Sequence, residues 1–526
     1  MPPRLSVVVP VHNVERYLTD CLKSLAEQTM ADLEVVMVDD GSTDGSAALA
    51  TGFAARDRRF RLVSQANGGL GQARNTGVRH CHPGARHLAF VDSDDVVPPR
   101  AYELLLDALD GTGSDFATGN VLRLRPGGKL EQPTEFRAPM ATTRLRTHIS
   151  RDWDLVADRI ACNKVFRRSF WDEHAFAFPV GALYEDIPVV LPAHFLARSV
   201  DVLNDTVYHW RERAGSITSR RAVVRGVQDR VTHVLGVCAF LDEHRDAVDK
   251  RRYEEHVLAD DLRYFLEALP DGDEDYRRAF LAYANEFTDQ ADPAAFHILP
   301  MRLRLMWHLV RERRIDELLA LLAHDKAEPG AFALRGVRRR TASFPGLTGP
   351  VPRPVLRAAE RDLPLTARLR DARWQGGLLH LSGYAYVRNL PATSRGSEFR
   401  AGWLRAGRRR PVPLRLRTVT DPEATARSRQ SLHDYDRSGF RTVVDPARLR
   451  IDGHRGPERL TWRLEIGVAG PGMLRRSALS VNEAAAPPPV HRPDGDHRIV
   501  PAFDGGALVL HAERIDARFE SHRAGR

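Results

Sequence analysis

The chain has 526 residues, with 78 Lys and Arg against 69 Asp and Glu, a formal charge of +9, and 43% hydrophobic and 28% charged residues. These values exclude a wholly disordered or fibrous chain, and the length exceeds the size at which one hydrophobic core keeps growing, so two or three domains are expected. The apolar run Leu5 to Val11 is too short for a signal-peptide core, and no run is long enough to span a bilayer, so a cytoplasmic protein is expected, with any membrane association peripheral and at the inner face.

From Leu5 the pattern reads strand, helix, strand. The apolar run Leu5 to Val11 is followed by Val14, Leu18, Cys21, Leu22 and Leu25 at helical spacing within Asn13 to Glu27, then by a second run, Leu33 to Val38. Ser46 to Phe53 predicts a second helix, Phe60 to Val63 a third strand, Leu70 to Val78 a helix and His87 to Val91 a strand. The alternation predicts an α/β domain with a parallel sheet covered on both faces. Ligands bind such sheets beyond the carboxyl ends of the strands, and these ends carry Pro10 to Asn13, Asp39 to Asp44 and Asp92 to Asp95.

Val223 to Ala327 reads as mainly helical, with amphipathic stretches such as Val257 to Leu269 and Ile315 to Leu322. Glu328 to Leu369, rich in Pro, Gly and Arg, reads as a linker. Beyond it, Leu378 to Val387 alternates Leu379, Leu381, Gly383 and Ala385 with His380, Ser382, Tyr384 and Tyr386, and Trp403, Leu414 to Val419, Phe440 to Val444 and Leu460 to Ile466 supply further short strands of an all-β sandwich. The expected divisions are a catalytic domain over 1–222, a helical connector over 223–327, a linker over 328–369 and a β-sandwich over 370–526.

Almost all the positive charge is arginine. The clusters Arg311 to Arg314, Arg338 to Arg340 and Arg408 to Arg410 are placed to meet an anionic acceptor or a membrane surface, against the plainer reading of solvated faces in an arginine-rich chain. No interleaved aromatics or nucleic-acid motif accompany them, so nucleic acid is not expected as a partner. Cys21, Cys81, Cys162 and Cys238 stand alone, without the spacing of a zinc site or disulfide framework.

The strongest chemical signal is Phe90-Val91-Asp92-Ser93-Asp94-Asp95, an apolar strand running into three carboxylates. Oxygen ligands suit Mg²⁺ or Mn²⁺, and a divalent ion there would bridge diphosphate oxygens on a leaving nucleotide. Asp94 is the first choice as direct ligand, and an acidic helix cap is the plainer alternative. Val38-Asp39-Asp40-Gly41-Ser42-Thr43-Asp44-Gly45-Ser46 suits a tight turn into a helix N-terminus, where Asp39 can accept a hydrogen bond from a pyrimidine N–H. Asn67-Gly68-Gly69-Leu70-Gly71-Gln72-Ala73-Arg74-Asn75 offers a flexible backbone, a helix start and an arginine able to pair with phosphate.

In order and spacing, Val9-Pro10-Val11-His12-Asn13, Val38 to Ser46, Gly71 to Gly77 and Val91 to Asp95 resemble the successive motifs of family-2 inverting glycosyltransferases with the GT-A (Rossmann-like) fold. That resemblance implies that Pro10, His12, Asn13, Asp39 and Asn67 line the nucleoside and donor pocket, that Arg74 holds the nucleotide, and that Asp92 and Asp94 bind the ribose and the metal-diphosphate, with Mn²⁺ or Mg²⁺ as cofactor. His12 stands where such enzymes commonly carry Tyr.

Ala161 to Phe166 and Tyr184-Glu185-Asp186-Ile187 resemble the acceptor-side motifs of the same enzymes. An inverting transfer needs one base to deprotonate the acceptor hydroxyl; by motif position Asp186 is the candidate, with Glu185 the substitute. His209 to Thr218 resembles the segment that closes over the diphosphate, where Arg211 or Arg213 with Ser216 would neutralise the departing phosphate. The catalytic likeness covers residues 4–220, and the larger plan resembles wall teichoic acid and related cell-surface polymer glycosyltransferases.

The implied activity is metal-dependent hexosyl or N-acetylhexosaminyl transfer from a nucleotide diphosphate sugar, UDP-linked by the Asp39 contact, to an anionic or neutral cell-envelope glycopolymer. The C-terminal domain is implied in oligomerisation or acceptor binding. The rival readings are a catalytically silent nucleotide-sugar-binding scaffold and a nucleotidyltransferase; the first is opposed by intact Asp92, Asp94 and Asp186, the second by the absence of a glycine-rich basic loop after the first strand.

Overall fold

A computed structural model describes residues 2–213, 221–245, 247–336, 340–391, 399–449, 459–470, 473–481, 486–494 and 497–514. Its first unit, residues 1–298, is organised on strands β1 (Leu5–Val11), β2 (Leu33–Asp40), β3 (Phe60–Gln65), β4 (His87–Phe90), β5 (Phe116–Leu124), β6 (Leu130–Glu131), β7 (Arg144–Thr147), β8 (Lys164–Arg167) and β9 (Val200–Arg211). Helices α1 (Glu15–Ala26), α2 (Ser46–Arg56), α3 (Leu70–His80) and α4 (Ala101–Thr112) connect the first five strands, α5 (Thr134–Arg137) and α6 (Arg168–Glu173) are short, and α7 (Ile187–Leu196) and α8 (Val224–His244) flank β9 in the chain.

Every residue of β1 is buried. A strand without one polar face needs cover on both sides, which is why it lies inside the sheet. Among the described residues the strand order is β3-β2-β1-β4-β8-β5-β9-β7, with β6 on β5. The β1, β2, β3 and β4 ladders are parallel, as the alternation of strands and helices implies. Beyond β4, past the strands read from the sequence, the sheet is mixed: β8 runs antiparallel to both β4 and β5, and β7 antiparallel to β9, while β5 and β9 are parallel. These later strands arrive by short loops as well as by helical crossovers, so antiparallel pairing is open to them.

The cleft opens where β1 and β4 part. The Val8 carbonyl accepts from Val91 N–H at 3.0 Å. Pro10, two residues on and facing the same way, has no N–H to continue that ladder. On the other side β1 stays paired with β2 through Val11↔Asp39, so the ends of these two strands leave the sheet together. Helix α3 crosses close over β1 at Gly77, where a Cβ would lie 2.2 Å from Val8 Cγ1.

The helical region is present as Val224–His244, Ala247–His256, Glu274–Thr288, Pro293–His297, Met301–Arg311 and Ile315–Ala327 with shorter turns between. In place of one amphipathic helix, Val257 to Leu269 forms a widened π-type turn, Val257–Asp261, and a short helix, Arg263–Leu266. The boundary between the two compact units falls inside this region, after Ile298. Within the segment read as linker, Ala333–Arg335 pairs with Thr341–Ser343, and the first long C-terminal strand already begins at Leu365.

The second unit carries a four-stranded sheet in the order Leu365–Gln375, Leu378–Val387, Gly439–Val444, Arg417–Val419, and a larger antiparallel sheet built around Phe399–Arg405, Arg459–Gly470 and Ala507–Arg514. Leu414 to Val419, read as one strand, is two: Val412–Leu414 pairs in the larger sheet and Arg417–Val419 in the smaller, so the chain changes sheets between them. The expected class, a Rossmann-like domain followed by a helical region and antiparallel β structure, is the architecture observed. No helix among the described residues is long and apolar enough to cross a membrane. Of the arginine clusters, Arg314 is engaged with Glu317 at 2.6 Å and the Pro350 carbonyl at 2.8 Å, and Arg338 and Arg339 lie outside the described residues.

The close approach at Gly77 reverses an ordinary rule. In an exposed helix Gly→Ala is stabilising by about 1 kcal/mol; here Gly77→Ala is expected to destabilise by about 1–3 kcal/mol through overpacking against Val8. The shift of the urea unfolding midpoint checks the sign.

Candidate active site

Three loops meet beyond the ends of β1, β2 and β3. His12 Nδ1 lies 2.9 Å from the Asp40 carbonyl oxygen, and Asn67 Nδ2 donates to that same oxygen at 3.1 Å. Asn13 takes a left-handed backbone, φ 52°, which Asn tolerates better than most residues, and its Oδ1 accepts from Thr43 N–H at 2.8 Å. Asp39, largely buried, accepts from Ser42 N–H at 3.2 Å. Asp40 was not singled out by sequence, yet it orders the glycine loop: its Oδ1 accepts from Gln65 Nε2 at 2.7 Å and Gly68 N–H at 2.8 Å, and its Oδ2 from Gly69 N–H at 2.8 Å. The structure thus brings Pro10, His12, Asn13, Asp39 and Asn67 to one rim, held mainly by backbone-directed hydrogen bonds.

The acidic turn after β4 forms the adjoining wall. Asp95 is buried and accepts from Tyr208 Oη at 2.6 Å and from Arg211 N–H at 2.7 Å, which ties the turn to β9. Tyr208 Oη in turn accepts from Asp92 N–H at 3.2 Å. Arg211 Nε donates to the Asp94 carbonyl at 2.7 Å, and Arg213 pairs with the Asp94 carboxylate, both guanidinium groups lying over Tyr17. Ser216 lies outside the described residues. Burial raises the Asp94 pKa and the neighbouring Asp92 charge adds to the rise, while Arg213 opposes it.

Among the described residues no group of three or more His, Cys, Asp or Glu side chains is arranged to hold a metal by itself. Mg²⁺-type sites commonly use one or two carboxylates and complete their shell with substrate phosphates and water. Asp94 and Asp92, whose charge lies close enough to raise the proton affinity of Asp94, fit that kind of site.

On the far side of the turn, Arg74 of α3 joins the two halves. Its side chain is 1% exposed; Nη2 donates to Asp92 Oδ1 at 2.7 Å, and Nη1 to Glu185 Oε1 at 2.7 Å and to Asp186. For Arg74 the resemblance implies a nucleotide contact; the partners found here are the three carboxylates, with the Phe178 ring 5.0 Å from the guanidinium carbon. Burial raises the pKa of Asp186 against the pull of Arg74. Burial likewise pushes Glu185 up to about 7, with Arg74 opposing and Asp186 adding to the rise. Such a carboxylate pair can take up a proton near neutral pH.

Asp186 is also held from the loop before β8, whose Ala161 N–H donates to its Oδ2 at 3.1 Å. That loop rests on a fully buried ion pair. Lys164 Nζ lies 2.7 Å from Asp158 Oδ1 and donates to the Ile160 carbonyl at 2.7 Å, and Thr118 Oγ1 donates to Asp158 Oδ2 at 2.8 Å. Burial alone would raise Asp158, but Lys164 and His194 hold it well below the ordinary carboxylate range. Cys21, whose thiol donates to the Asp92 carbonyl at 3.7 Å, is a further support that sequence reasoning passed over, because it reads there only as an apolar position of α1.

Residues 6–174 match the model of the family described as Glycosyl transferase family 2. The chain is 33% identical over 222 residues to EpsH of Bacillus subtilis (strain 168), across 41% of this chain and 63% of EpsH, so less than two thirds of that relative's length is covered. Among solved structures, S. aureus TarS superposes with a TM-score of 0.61 at 14% identity, covering 98% of this chain and 86% of that one. Its 1–349 fragment in complex with UDP-GlcNAc gives 0.54 at 20% identity, over 65% of this chain and 97% of the fragment. The fold is shared with TarS, and the residues matched by the family model take in the acidic turn and the sheet strands up to β8.

Lys164→Met is expected to cost roughly 3–5 kcal/mol in urea unfolding at neutral pH, because it leaves the Asp158 carboxylate buried without its cation. The double variant Asp158→Asn with Lys164→Met should recover much of that loss, which a double-mutant cycle measures directly.

Proposed function

We propose that the protein is an inverting glycosyltransferase that moves a hexosyl or N-acetylhexosaminyl group from a nucleotide diphosphate sugar to a hydroxyl of a cell-envelope glycopolymer. The observation that carries this reading is the guanidinium of Arg74, which holds Asp92, on the donor side, beside Glu185 and Asp186 on the acceptor side. The family match over residues 6–174 and the fold shared with a TarS fragment that was solved with UDP-GlcNAc support a UDP-linked donor.

In this reading Pro10, His12, Asn13, Asp39 and Asn67 receive the nucleoside, with the Asp39 carboxylate accepting from the uracil N–H. Asp186 takes the proton of the acceptor hydroxyl as that oxygen bonds to the anomeric carbon, and the bond from that carbon to the diphosphate breaks on the opposite face. Asp186 is favoured over Glu185 as base because its side chain is 16% exposed against 8%, and a carboxylate has lone pairs left after accepting one bond at each oxygen. Glu185 then balances the Arg74 charge. Mn²⁺ or Mg²⁺, held by Asp94 and Asp92, would supply neutralising charge to the departing diphosphate. Arg211 and Arg213 stand next to that position and are suited to pair with its oxygens.

Nucleoside diphosphate release from UDP-, GDP- and CDP-linked donors, with Mn²⁺, Mg²⁺ or EDTA, tests the assignment. Slow metal-dependent turnover of one donor, lost in Asp94→Ala, is the expected result; nucleotide binding without turnover in the presence of acceptor polymers would indicate a scaffold instead. Asp186→Asn should retain donor affinity while kcat falls about 100- to 10,000-fold. Undiminished transfer by that variant would remove the base assignment.

The pH dependence has a defined sign. The base must be unprotonated to act, and burial has raised Asp186 above the ordinary carboxylate range and its neighbour Glu185 to about 7, so kcat should fall as the pH drops from neutral toward the ordinary carboxylate range. A rate that stays flat from neutral pH down to the ordinary carboxylate range would show that this pair does not titrate in the rate-limiting step.

A further inference from the structure

The stretch that delivers Glu185 and Asp186 has an unusual backbone. Gly181 has φ 71°, and Tyr184, directly before the carboxylate pair, has φ 60°. A bulky residue holds a left-handed conformation only when its surroundings impose it.

Those surroundings are supplied by α8. Asp229 Oδ2 accepts from Leu183 N–H at 2.9 Å, and the His233 Nε2–H donates to the Leu183 carbonyl at 3.0 Å, so both backbone groups of one residue are gripped by side chains one turn apart. Arg230, between them in sequence, lies 4.0 Å from the centre of the Tyr184 ring, and that ring packs edge-on to Phe265 at 6.1 Å. Gly226, one turn earlier, completes the face: a Cβ there would come 3.4 Å from Phe265 and 3.6 Å from Tyr184 Oη, so a larger side chain would press on the ring. Gly226, Asp229, Arg230 and His233 follow helical spacing and present one side of α8 to the loop.

The same helical segment reaches the second loop around Asp186. Asp261, in the widened turn Val257–Asp261, is buried and pairs with Arg230 at 3.0 Å and also with Arg159. Arg159 lies two residues before Ala161, whose N–H donates to Asp186. Both stretches that fix the carboxylate pair are therefore anchored on residues that follow β9. A π-type turn interrupting a helical run often marks such a local demand.

We propose that Asp229, Arg230 and His233 are positioning residues for the Glu185–Asp186 pair, so that α8 is part of the catalytic apparatus and not a connector alone. This rests on the reading of that pair as the site of base chemistry. None of the three touches the reacting atoms; they act by setting the backbone of Leu183 and the ring of Tyr184, which in turn fix where the carboxylates point.

The test compares Asp229→Ala with Asp229→Asn, and His233→Ala with His233→Gln, in the full-length protein. Asn keeps an oxygen to accept from Leu183 N–H, and Gln keeps an N–H to donate to the Leu183 carbonyl. Amide hydrogen exchange at Leu183 reads the clamp without any turnover, and the Ala variants should accelerate it by about tenfold or more. In the same variants kcat should fall about 10- to 100-fold while the donor KM and the UDP affinity change by less than about twofold, with Asn and Gln restoring most of the rate. Unchanged exchange at Leu183, faster exchange with unaltered kcat, or a rate loss matched by lost UDP affinity and not rescued would each overturn the proposal. Absence of transfer by the unaltered protein with every donor would instead remove the transferase reading, and the exchange comparison would still decide whether α8 holds the pair.

Discussion

A guanidinium taken out of water needs acceptors and compensating charge, and the two terminal nitrogens of Arg74 meet three carboxylates. Asp92 comes from the end of β4, and Glu185 and Asp186 from the stretch before α7, more than a hundred residues after Arg74 in the chain. Burial of that one charge therefore constrains α3, the acidic turn and the stretch before α7 together. Ion pairs of this kind add little net stability compared with well-packed apolar groups, since desolvation offsets much of the attraction. Their consequence here is placement: neither carboxylate of the pair can move far without exposing the others to an unpaired buried charge.

The remainder of the site divides by the kind of interaction that holds it. At the ends of β1 and β2, Asp39, Asp40 and Asn13 accept from backbone N–H groups, so the loops there are ordered by the chain itself. At the acidic turn, Asp92, Asp94 and Asp95 are crowded; Arg74 meets Asp92, Arg213 meets Asp94, and Arg211 N–H and Tyr208 meet Asp95. Before α7, burial raises the proton affinity of Glu185 and Asp186 above the ordinary carboxylate range.

Much of the first half of the sheet was legible in the sequence. Leu5 to Val11 is apolar throughout, and the strand has those bounds; Leu70 to Val78 and Phe60 to Val63 fall within α3 and β3, each of which runs two residues further. Later strands were not legible. Phe116–Leu124 mixes Thr, Gly and Asn into its apolar positions because its polar residues, such as Asn120, find partners inside the fold, here Gln132. The reading of Glu328 to Leu369 as linker rested on composition, which says nothing of the pairing that Ala333–Arg335 finds with Thr341–Ser343. The candidate site was legible as a set of motifs at strand ends. Its supports were not: Cys21 looks like any apolar helix position, Tyr208 like any strand aromatic, and Asp229 and His233 like ordinary polar residues of a surface helix.

By itself the sequence determined which segments must be buried, through the period of their apolar residues, and which strand ends carry oxygen ligands and glycine turns, through local residue chemistry. These are properties of short stretches, and short stretches carry them whatever the rest of the chain does. Only the tertiary structure decided that Arg74 faces carboxylates, that Asp40 orders the glycine loop, and that α8 grips the backbone ahead of Glu185. Each of these depends on groups far apart in sequence meeting where water is excluded, and there a charge or an N–H must find a partner wherever the fold supplies one.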